Sequence, residues 1–319
     1  MKALRWLGLL LGIGLFLWVL RTSDLSAVWG QLRILKWRFG LVLLFYIVIF
    51  GLDTLGWQFV LRQSSKGPIR WDRLFRARLA GEAVNYVTPT AWIGGEPVKA
   101  ALLSRRYGVP MADGMASVVL AKTTFTFSML LFVLVGLAVA LATQQVPAAL
   151  MKWVWLVFPL LSGLIGLFLL VQFLKPFQRG SSMIGRVMPA WFEKLGSKVR
   201  EWDRAIVSLY RSSPGSVFWS LGFHFLGWIA GVVEVYLILS LLKISVSWAT
   251  AFSIEALWVL LRSGAFLIPA SLGASEGSVL LICSSLGVGA VSGLALGLVR
   301  RAREITWMGL GLLEFSREG

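Results

Sequence analysis

Residues 74–106 read LFRARLAGEAVNYVTPTAWIGGEPVKAALLSRR, and the interpretation of the whole chain starts from this stretch. It is too polar to cross a bilayer easily and too apolar for a solvent-exposed loop. A helical pattern runs up to Pro89, Gly94 and Gly95 interrupt it, and a new helix begins at Glu96. Because proline cannot continue a helix and glycine favours a break, the residues predict two helices joined by a turn.

A second stretch, residues 249–276, repeats this arrangement in the sequence ATAFSIEALWVLLRSGAFLIPASLGASE. Pro269 and Glu276 stand seven residues apart, as Pro89 and Glu96 do, and the second pair follows the first by 180 residues. Interrupted helices at corresponding positions of two halves are typical of transporters built as inverted repeats, in which both breaks contribute to one binding site.

The composition of the chain predicts a membrane protein. Of its 319 residues, 57% are hydrophobic and 14% are charged, whereas a soluble domain has about 25% charged residues. A bilayer leaves no water to satisfy backbone groups, so the long uncharged runs are predicted to be helices. We therefore expect an all-α, polytopic helical bundle of about seven transmembrane helices plus two re-entrant, broken helices in an inverted repeat.

The loops divide and orient the chain. A single transmembrane domain is predicted over 1–319, with a first half at 1–174, a connector at 175–213 and a second half at 214–319. Residues 62–78 and the connector carry fourteen basic side chains against four acidic ones, which predicts that both are cytoplasmic. Helical spacing of apolar residues in the connector predicts an amphipathic helix on the inner membrane face, where basic residues bind anionic lipid headgroups.

Several functional classes are excluded by the residue content. One Cys and one His make a metal site of these two residue types implausible. The glycine loops of nucleotide-binding proteins and the nucleophile elbow of serine hydrolases are both missing from the sequence. The formal net charge of +16 is explained by basic cytoplasmic loops, so no nucleic-acid partner is expected.

Charged residues near the two breaks are the candidate substrate-binding groups. Arg78, Glu82 and Asn85 share one helix face, and Glu255 and Arg262 share a face of the other interrupted helix. A charge at the bilayer centre costs about 2.5–3.5 kcal/mol, so such residues pair with one another or mark a functional site. The full candidate set is Arg78, Glu82, Asn85, Pro89, Gly94, Gly95, Glu96, Lys99, Glu255, Arg262, Pro269, Gly273, Glu276 and Arg301.

Three of these features have alternative interpretations. Glu96 caps the helix that follows it, contacts a headgroup or a proton, or does both. Glu255 and Arg262 either form a structural salt bridge or line a polar cavity. Residues 278–299 either form one span, which leaves the following arginines at the cytoplasmic surface, or divide at 287–289 and place those arginines inside the final span.

Four titratable residues stand alone within predicted spans: Asp53, Lys122, His224 and Glu234. Each is a proton site, is neutral, or is paired with an arginine. The sequence assigns them no role.

The same segments carry a family resemblance. GEAVNYVTPTAWIGGEPVKA at 81–100 and ASVVLAKT at 116–123 resemble the lysylphosphatidylglycerol synthase transmembrane-region family, also called flippase-like. RARLAGEAVN at 76–85, E-x6-RSGAFLIPASLGASEG at 255–277 and RRAREI at 300–305 are most similar to its hopanoid-biosynthesis-associated, HpnL-type branch.

This resemblance implies a helical membrane domain with two re-entrant segments, no cofactor, and a role in moving or handling lipids. It favours division of 278–299 into half-helices. We expect a flippase-like protein of the cytoplasmic (inner) membrane that binds and translocates an amphiphilic lipid, either a hopanoid or a phospholipid. The alternative is an integral-membrane enzyme that modifies lipid headgroups, or an accessory subunit of lipid or hopanoid biosynthesis, although no catalytic motif supports it. The oligomeric state is left open.

Overall fold

The structure is a computed structural model, and it describes residues 2–61, 69–88, 94–143, 159–160, 163, 214–265 and 268–317, with side chains from residue 8 onward. All regular elements in these residues are helical, which confirms the predicted fold class for this part of the chain. The first half contains α1 (Lys2–Thr22), α2 (Leu25–Leu35), α3 (Phe39–Leu61), α4 (Trp71–Val87), α5 (Glu96–Tyr107) and α6 (Met111–Ala142). The second half contains α7 (Pro214–Leu241), α8 (Trp248–Gly264), α9 (Ala274–Ser285) and α10 (Ala290–Ser316), and short 3₁₀ turns lie at Lys36–Arg38 and Pro269–Ser271.

Three helical stretches in the described residues are long and apolar enough to cross a membrane. They are Leu25–Leu61, which joins α2 to α3, and the helices α6 and α7. Gly8–Thr22 within α1 is a shorter apolar helix. Large apolar side chains such as Leu44 and Leu226 are exposed on these helices, as expected for surfaces that contact lipid. The count of seven spans and the re-entrant placement of the broken helices stay predictions.

Local signals in the sequence set several helix ends. Asp24 caps α2, since its carboxylate accepts hydrogen bonds from the backbone amides of Ser26 and Ala27. The hydrogen bond from the Ala27 amide, followed by that from the Ser26 hydroxyl, lowers the pKa of the Asp24 carboxyl below its ordinary value. Ser247 caps α8 by accepting a hydrogen bond from the amide of Thr250.

The first interruption has the predicted helices on either side. α4 ends at Val87 and α5 begins at Glu96, while Pro89 lies outside the described residues. A Cβ atom on Gly95 would lie 1.8 Å from the backbone oxygen of Gly81, so α5 approaches α4 more closely here than a side chain permits. The glycine at position 95 is therefore required by packing.

The second interruption lies between α8 and α9. Gly273 has φ +72° directly before α9, and a Cβ there would lie 2.4 Å from the backbone nitrogen of Phe16 in α1. α9 ends at Ser285 and α10 begins at Ala290, with positive φ angles at Gly287 and Gly289. Residues 278–299 are thus two helices, in agreement with the interpretation that the family resemblance favours.

The two halves pack against each other reciprocally. The long helix α6 contacts α8, the long helix α10 contacts α4, and α3 packs along α7. Gly136 of α6 lies against Ala256, and Gly311 of α10 lies against Leu79 and Ala83. Because glycine has no side chain, the helix backbones approach closely at both places. α6 of the first half therefore packs on the first broken helix of the second half, and α10 of the second half packs on that of the first.

The largest group of buried apolar side chains joins α6 to the helices of the second half. It includes Phe132, Val235, Ile254 and Leu294, all less than 1% exposed. Charged residues of the same helices, such as Glu234 and Glu255, line an internal cavity instead.

The two basic segments predicted to be cytoplasmic, residues 62–78 and 175–213, compare differently with the structure. Residues 62–78 are not a single loop, because α4 begins at Trp71 and the side chain of Arg78 is buried among helices. An arginine paired inside the bundle does not report on loop orientation, so only residues before α4 bear on the topology. The connector 175–213, with its predicted amphipathic helix, lies outside the described residues.

Candidate functional site

A cavity of ≈ 430 Å³ lies between the two halves, and helices α3 to α8 and α10 contribute to its wall. With His224 counted as neutral, six of the described wall residues are positively charged and six are negatively charged, so their formal charges sum to zero. These residues are Asp53, Arg78, Glu82, Glu96, Lys99, Lys122, Glu234, Glu255, Arg262, Arg300, Arg303 and Glu304. Aromatic side chains, including Trp57, Phe125, Trp228 and Trp258, form much of the remaining wall.

Four of the charges form an alternating row across α4, α5 and α6, which we call the first string. The Lys99 ammonium lies 2.5 Å from the Glu82 carboxylate and 3.0 Å from that of Glu96. The Lys122 ammonium lies 3.6 Å from the other oxygen of Glu96. The order is Glu82, Lys99, Glu96, Lys122, so each inner ion contacts two ions of opposite sign.

Asn85 ties the first string to the break between α4 and α5. Its side-chain amide donates hydrogen bonds to Glu96 (3.2 Å) and Glu82 (3.3 Å), and its carbonyl accepts one from the backbone amide of Gly95 (2.6 Å). Gly95 occupies the N-cap position of α5. Glu96 lies in the first turn of α5, where its negative charge is favourable, and its carboxylate is also held in the first string by ion pairs.

Six further charges form a second string across α7, α8 and α10. In order, they are Arg262, Glu304, Arg303, Glu234, Arg300 and Glu255. The successive nitrogen–oxygen distances are 2.8, 3.7, 2.7, 3.2 and 2.7 Å. Glu304 also contacts Arg301, at 3.2 Å, so every buried charge of the string lies beside at least one charge of opposite sign, which limits the cost of removing them from water.

Arg262 and Glu255 lie at opposite ends of the second string. Arg262 pairs with Glu304 and Glu255 pairs with Arg300, so a direct salt bridge between Arg262 and Glu255 is not what the structure contains. The guanidinium carbons of Arg262 and Arg300 lie 4.8 and 4.5 Å from the ring centre of Trp258, which supplies a cation–π contact to each.

The remaining pair of wall charges joins α3 and α4 to α7. Arg78 donates to the carboxylate of Asp53 (3.0 Å) and to the backbone oxygen of Phe50 (2.9 Å). Nδ1 of His224 lies 3.0 Å from the other oxygen of Asp53. The ion pair that Arg78 forms among the described residues is therefore with Asp53 on α3, although Arg78 and Glu82 share a helix face.

The second break is organised around Arg301. Its guanidinium donates to the carboxylate of Glu276 (2.6 Å), the backbone oxygen of Ala270 (2.9 Å) and the hydroxyl of Tyr86 (2.6 Å). The backbone amide of Gly273 donates to the second oxygen of Glu276 (2.9 Å). Glu276 therefore both caps α9 and fixes Arg301, and these contacts hold the shape of the break.

The candidate residues from the sequence separate into three groups. Those in the cavity wall are Arg78, Glu82, Glu96, Lys99, Glu255 and Arg262. Those that lie at the breaks, and are not among the described wall residues, are Asn85, Gly94, Gly95, Pro269, Gly273, Glu276 and Arg301. Pro89 lies outside the described residues, so a contribution of both breaks to one binding site stays a prediction.

Sequence reasoning assigned no role to Asp53, Lys122, His224 and Glu234, yet all four line the cavity. The available signal was a lone titratable residue within an apolar helix. Their partners are on other helices, and Glu234 is indeed paired with arginines. In the part of the chain that the structure describes, no group of three or more His, Cys, Asp or Glu residues is placed to hold a metal ion.

The cavity reaches the outer surface between α6 and α8. Thr126 of α6 and Ser263 of α8 line the cavity and are also exposed. The Ser263 hydroxyl donates to the sulfur of Met129 across this gap, at 3.6 Å. Exposed apolar residues, Val119 and Leu261, lie on the same two helices. The opening is therefore set in an apolar surface.

Comparison with known proteins assigns the family. Residues 5–311 match the family described as the lysylphosphatidylglycerol synthase TM region. The chain is similar to a UPF0104 membrane protein of Methanothermobacter thermautotrophicus, with 25% identity over 255 residues that cover 76% of this chain and 73% of that protein. No solved structure matches the chain. Since the match extends over nearly all of its length, the chain belongs to the lysylphosphatidylglycerol synthase transmembrane-region family of membrane proteins.

Proposed function

We propose that this protein is a multi-pass, flippase-like protein of the cytoplasmic membrane that holds the headgroup of an amphiphilic lipid in its cavity and moves the lipid between leaflets. The observation that carries the proposal is a cavity rich in charges, enclosed by helices whose outer surfaces are apolar. Ionisable residues inside a membrane domain mark substrate pathways by default.

The opening between α6 and α8 supports a lipid as the ligand. A polar headgroup can occupy the cavity while its acyl or polycyclic tail remains in the bilayer beside the apolar residues of these helices. A small hydrophilic solute would enter the cavity from water and would not need an opening in an apolar surface. The description of the matching family also refers to the synthesis of a modified phospholipid. The similarity of residues 76–85, 255–277 and 300–305 to the hopanoid-associated branch adds a hopanoid, so one of these two lipids is the substrate class we propose.

The correspondence between the two halves supports transport. Glu96 pairs with Lys122 in the first half, and Glu276 pairs with Arg301 in the second. Glu276 follows Glu96 by 180 residues and Arg301 follows Lys122 by 179, so the two pairs occupy equivalent places. Repeated halves with broken helices are the architecture in which one half rocks against the other around a shared site.

The test is a lipid-scrambling assay in liposomes that contain the purified protein. A phospholipid with a fluorophore on its tail is placed in both leaflets, and dithionite then quenches the outer leaflet. We expect the protein to make the inner pool accessible without changing the mass of the lipid. A change in headgroup mass would support the headgroup-modifying enzyme instead, and neither transport nor modification would contradict both functions.

A crosslink across the opening provides a matched control. Cys283 is the one cysteine of the chain, so Cys283→Ser gives a background for Met129→Cys with Ser263→Cys. The Ser263 hydroxyl and the Met129 sulfur are 3.6 Å apart, but the methionine side chain is long, so a reducible bifunctional thiol reagent is used to join the two cysteines. The crosslinked pair is expected to close the gap and stop transport until reductant is added. Each single-cysteine variant treated with the same reagent is expected to transport lipid in both conditions. Transport that persists through the crosslinked pair would contradict this route.

A further inference from the structure

Resting on the proposed function, we infer that the cavity selects a lipid headgroup of zero net charge that carries one positive and one negative group, as phosphate–ammonium headgroups do. The inference concerns the kind of lipid, which neither the fold nor the family match specifies. It follows from the balance of charges in the wall and from which of those charges are accessible.

The described wall has no surplus charge to offer. The first string contains two positive and two negative ions, and the second contains three of each sign. Asp53 and Arg78 add one further ion of each sign. A ligand with a net charge would bring an uncompensated ion into a site largely removed from water, which is costly unless a partner neutralises it. A ligand whose charges cancel adds no such ion.

The first string has two accessible ends of opposite sign. The side chains of Glu82 and Lys122 are 21% and 34% exposed, whereas those of Lys99 and Glu96 inside the string are 7% and 8% exposed. Each inner ion contacts two opposite charges, while Glu82 contacts one cation and Lys122 one anion among the described residues. The string can therefore be extended at Glu82 by an ammonium group and at Lys122 by a phosphate.

The second string does not offer a matching anionic end. Glu255 is 4% exposed on its side chain and is closed off by Arg300 and Gly231. The accessible ions of both signs are thus concentrated on the first string. A neutral sugar headgroup would add no counter-ion to either accessible end, whereas a zwitterion would add a second one to each, so a zwitterion is the better complement.

Direct binding measurements test the inference separately from transport. Purified protein in detergent micelles is titrated with three tail-labelled lipids: phosphatidylethanolamine, phosphatidylglycerol and diglucosyl diacylglycerol. We expect phosphatidylethanolamine to bind about tenfold more tightly than phosphatidylglycerol, and more tightly than the glycolipid. Equal or tighter binding of either rival lipid would overturn the inference while leaving the proposed function intact. No binding of any lipid would overturn both.

Two charge variants make the test sharper. Glu82→Gln gives the wall a net positive charge and should shift the binding preference towards phosphatidylglycerol. Lys122→Met gives the wall a net negative charge and should weaken the binding of phosphatidylglycerol further relative to phosphatidylethanolamine. Glu314→Gln is the matched control for Glu82→Gln. It removes one negative charge in the same way, but Glu314 lies outside the cavity, beside Arg76 and Arg106. Thermal unfolding confirms that each variant is folded.

The variants also define the result that would overturn the inference. The ratio of the two dissociation constants should move in opposite directions in Glu82→Gln and Lys122→Met and stay unchanged in Glu314→Gln. An unchanged ratio in folded samples of both cavity variants, or an equal shift in the control, would show that the wall charge does not select the headgroup.

Discussion

Replacing Arg300 with methionine tests whether the second string stabilises the bundle as an ordered set of ion pairs. The guanidinium of Arg300 is 3% exposed and contacts the carboxylates of Glu255 (2.7 Å) and Glu234 (3.2 Å). Glu234 would retain Arg303 at 2.7 Å, but Glu255 would lose its only described ion-pair partner. Removing one member of a buried pair costs about 3–5 kcal/mol, because the remaining charge is uncompensated.

The double variant Arg300→Met, Glu255→Leu separates the orphaned charge from the loss of packing. It removes one ion of each sign, and the four ions left in the second string still alternate. We expect its loss of stability to be no more than about 2 kcal/mol, because an ion pair replaced by apolar residues of similar volume is often nearly neutral. The loss in the single variant should shrink as pH falls, since protonation of the orphaned carboxylate removes its charge.

Equilibrium unfolding in mixed detergent micelles, followed by tryptophan fluorescence, measures these differences. Arg76→Met is the matched control: Arg76 pairs with Glu314 at 3.9 Å, but its side chain is 62% exposed. Exposed pairs contribute about 0–1 kcal/mol, so this control should change little. A loss below about 1 kcal/mol in Arg300→Met, or a double variant as unstable as the single one, would refute the assignment of Glu255 to Arg300.

Two further predictions concern packing and orientation. A Cβ on Gly136 would lie 2.2 Å from that of Ala256, so Gly136→Ala should destabilise the protein by about 1–3 kcal/mol in the same unfolding assay. Gly14→Ala is the control, because a Cβ on Gly14 would have nothing within 4 Å, and it should not destabilise the protein. Equal effects of the two substitutions would contradict the close packing of α6 and α8. Cysteines introduced at Ser64 and Ser181 of a Cys283→Ser chain should not react with an impermeant thiol reagent added to intact cells, because loops rich in basic residues stay in the cytoplasm. Labelling of either position would show that the predicted orientation is wrong.

Several features of the fold are readable from the sequence because they depend on local properties. The breaks after α4 and before α9 follow from proline and glycine, which limit the backbone wherever they occur. The start of α5 at Glu96 was predicted correctly for the same reason. The end of the basic loop was predicted incorrectly, because α4 already begins at Trp71. A count of charges alone does not distinguish basic residues in the first turns of a helix from those of a loop.

The sequence by itself determined that this is a helical membrane protein, that two of its helices are broken at corresponding places, and that charged side chains must lie inside it. Hydropathy, helical periodicity and the cost of a charge in a bilayer are enough for those conclusions. Only the tertiary structure decided which charges meet. Arg262 contacts Glu304 instead of Glu255, and Asp53 contacts a histidine 171 positions away. Periodicity shows which residues share a helix face, but the rotation and packing of that helix against its neighbours select the partner.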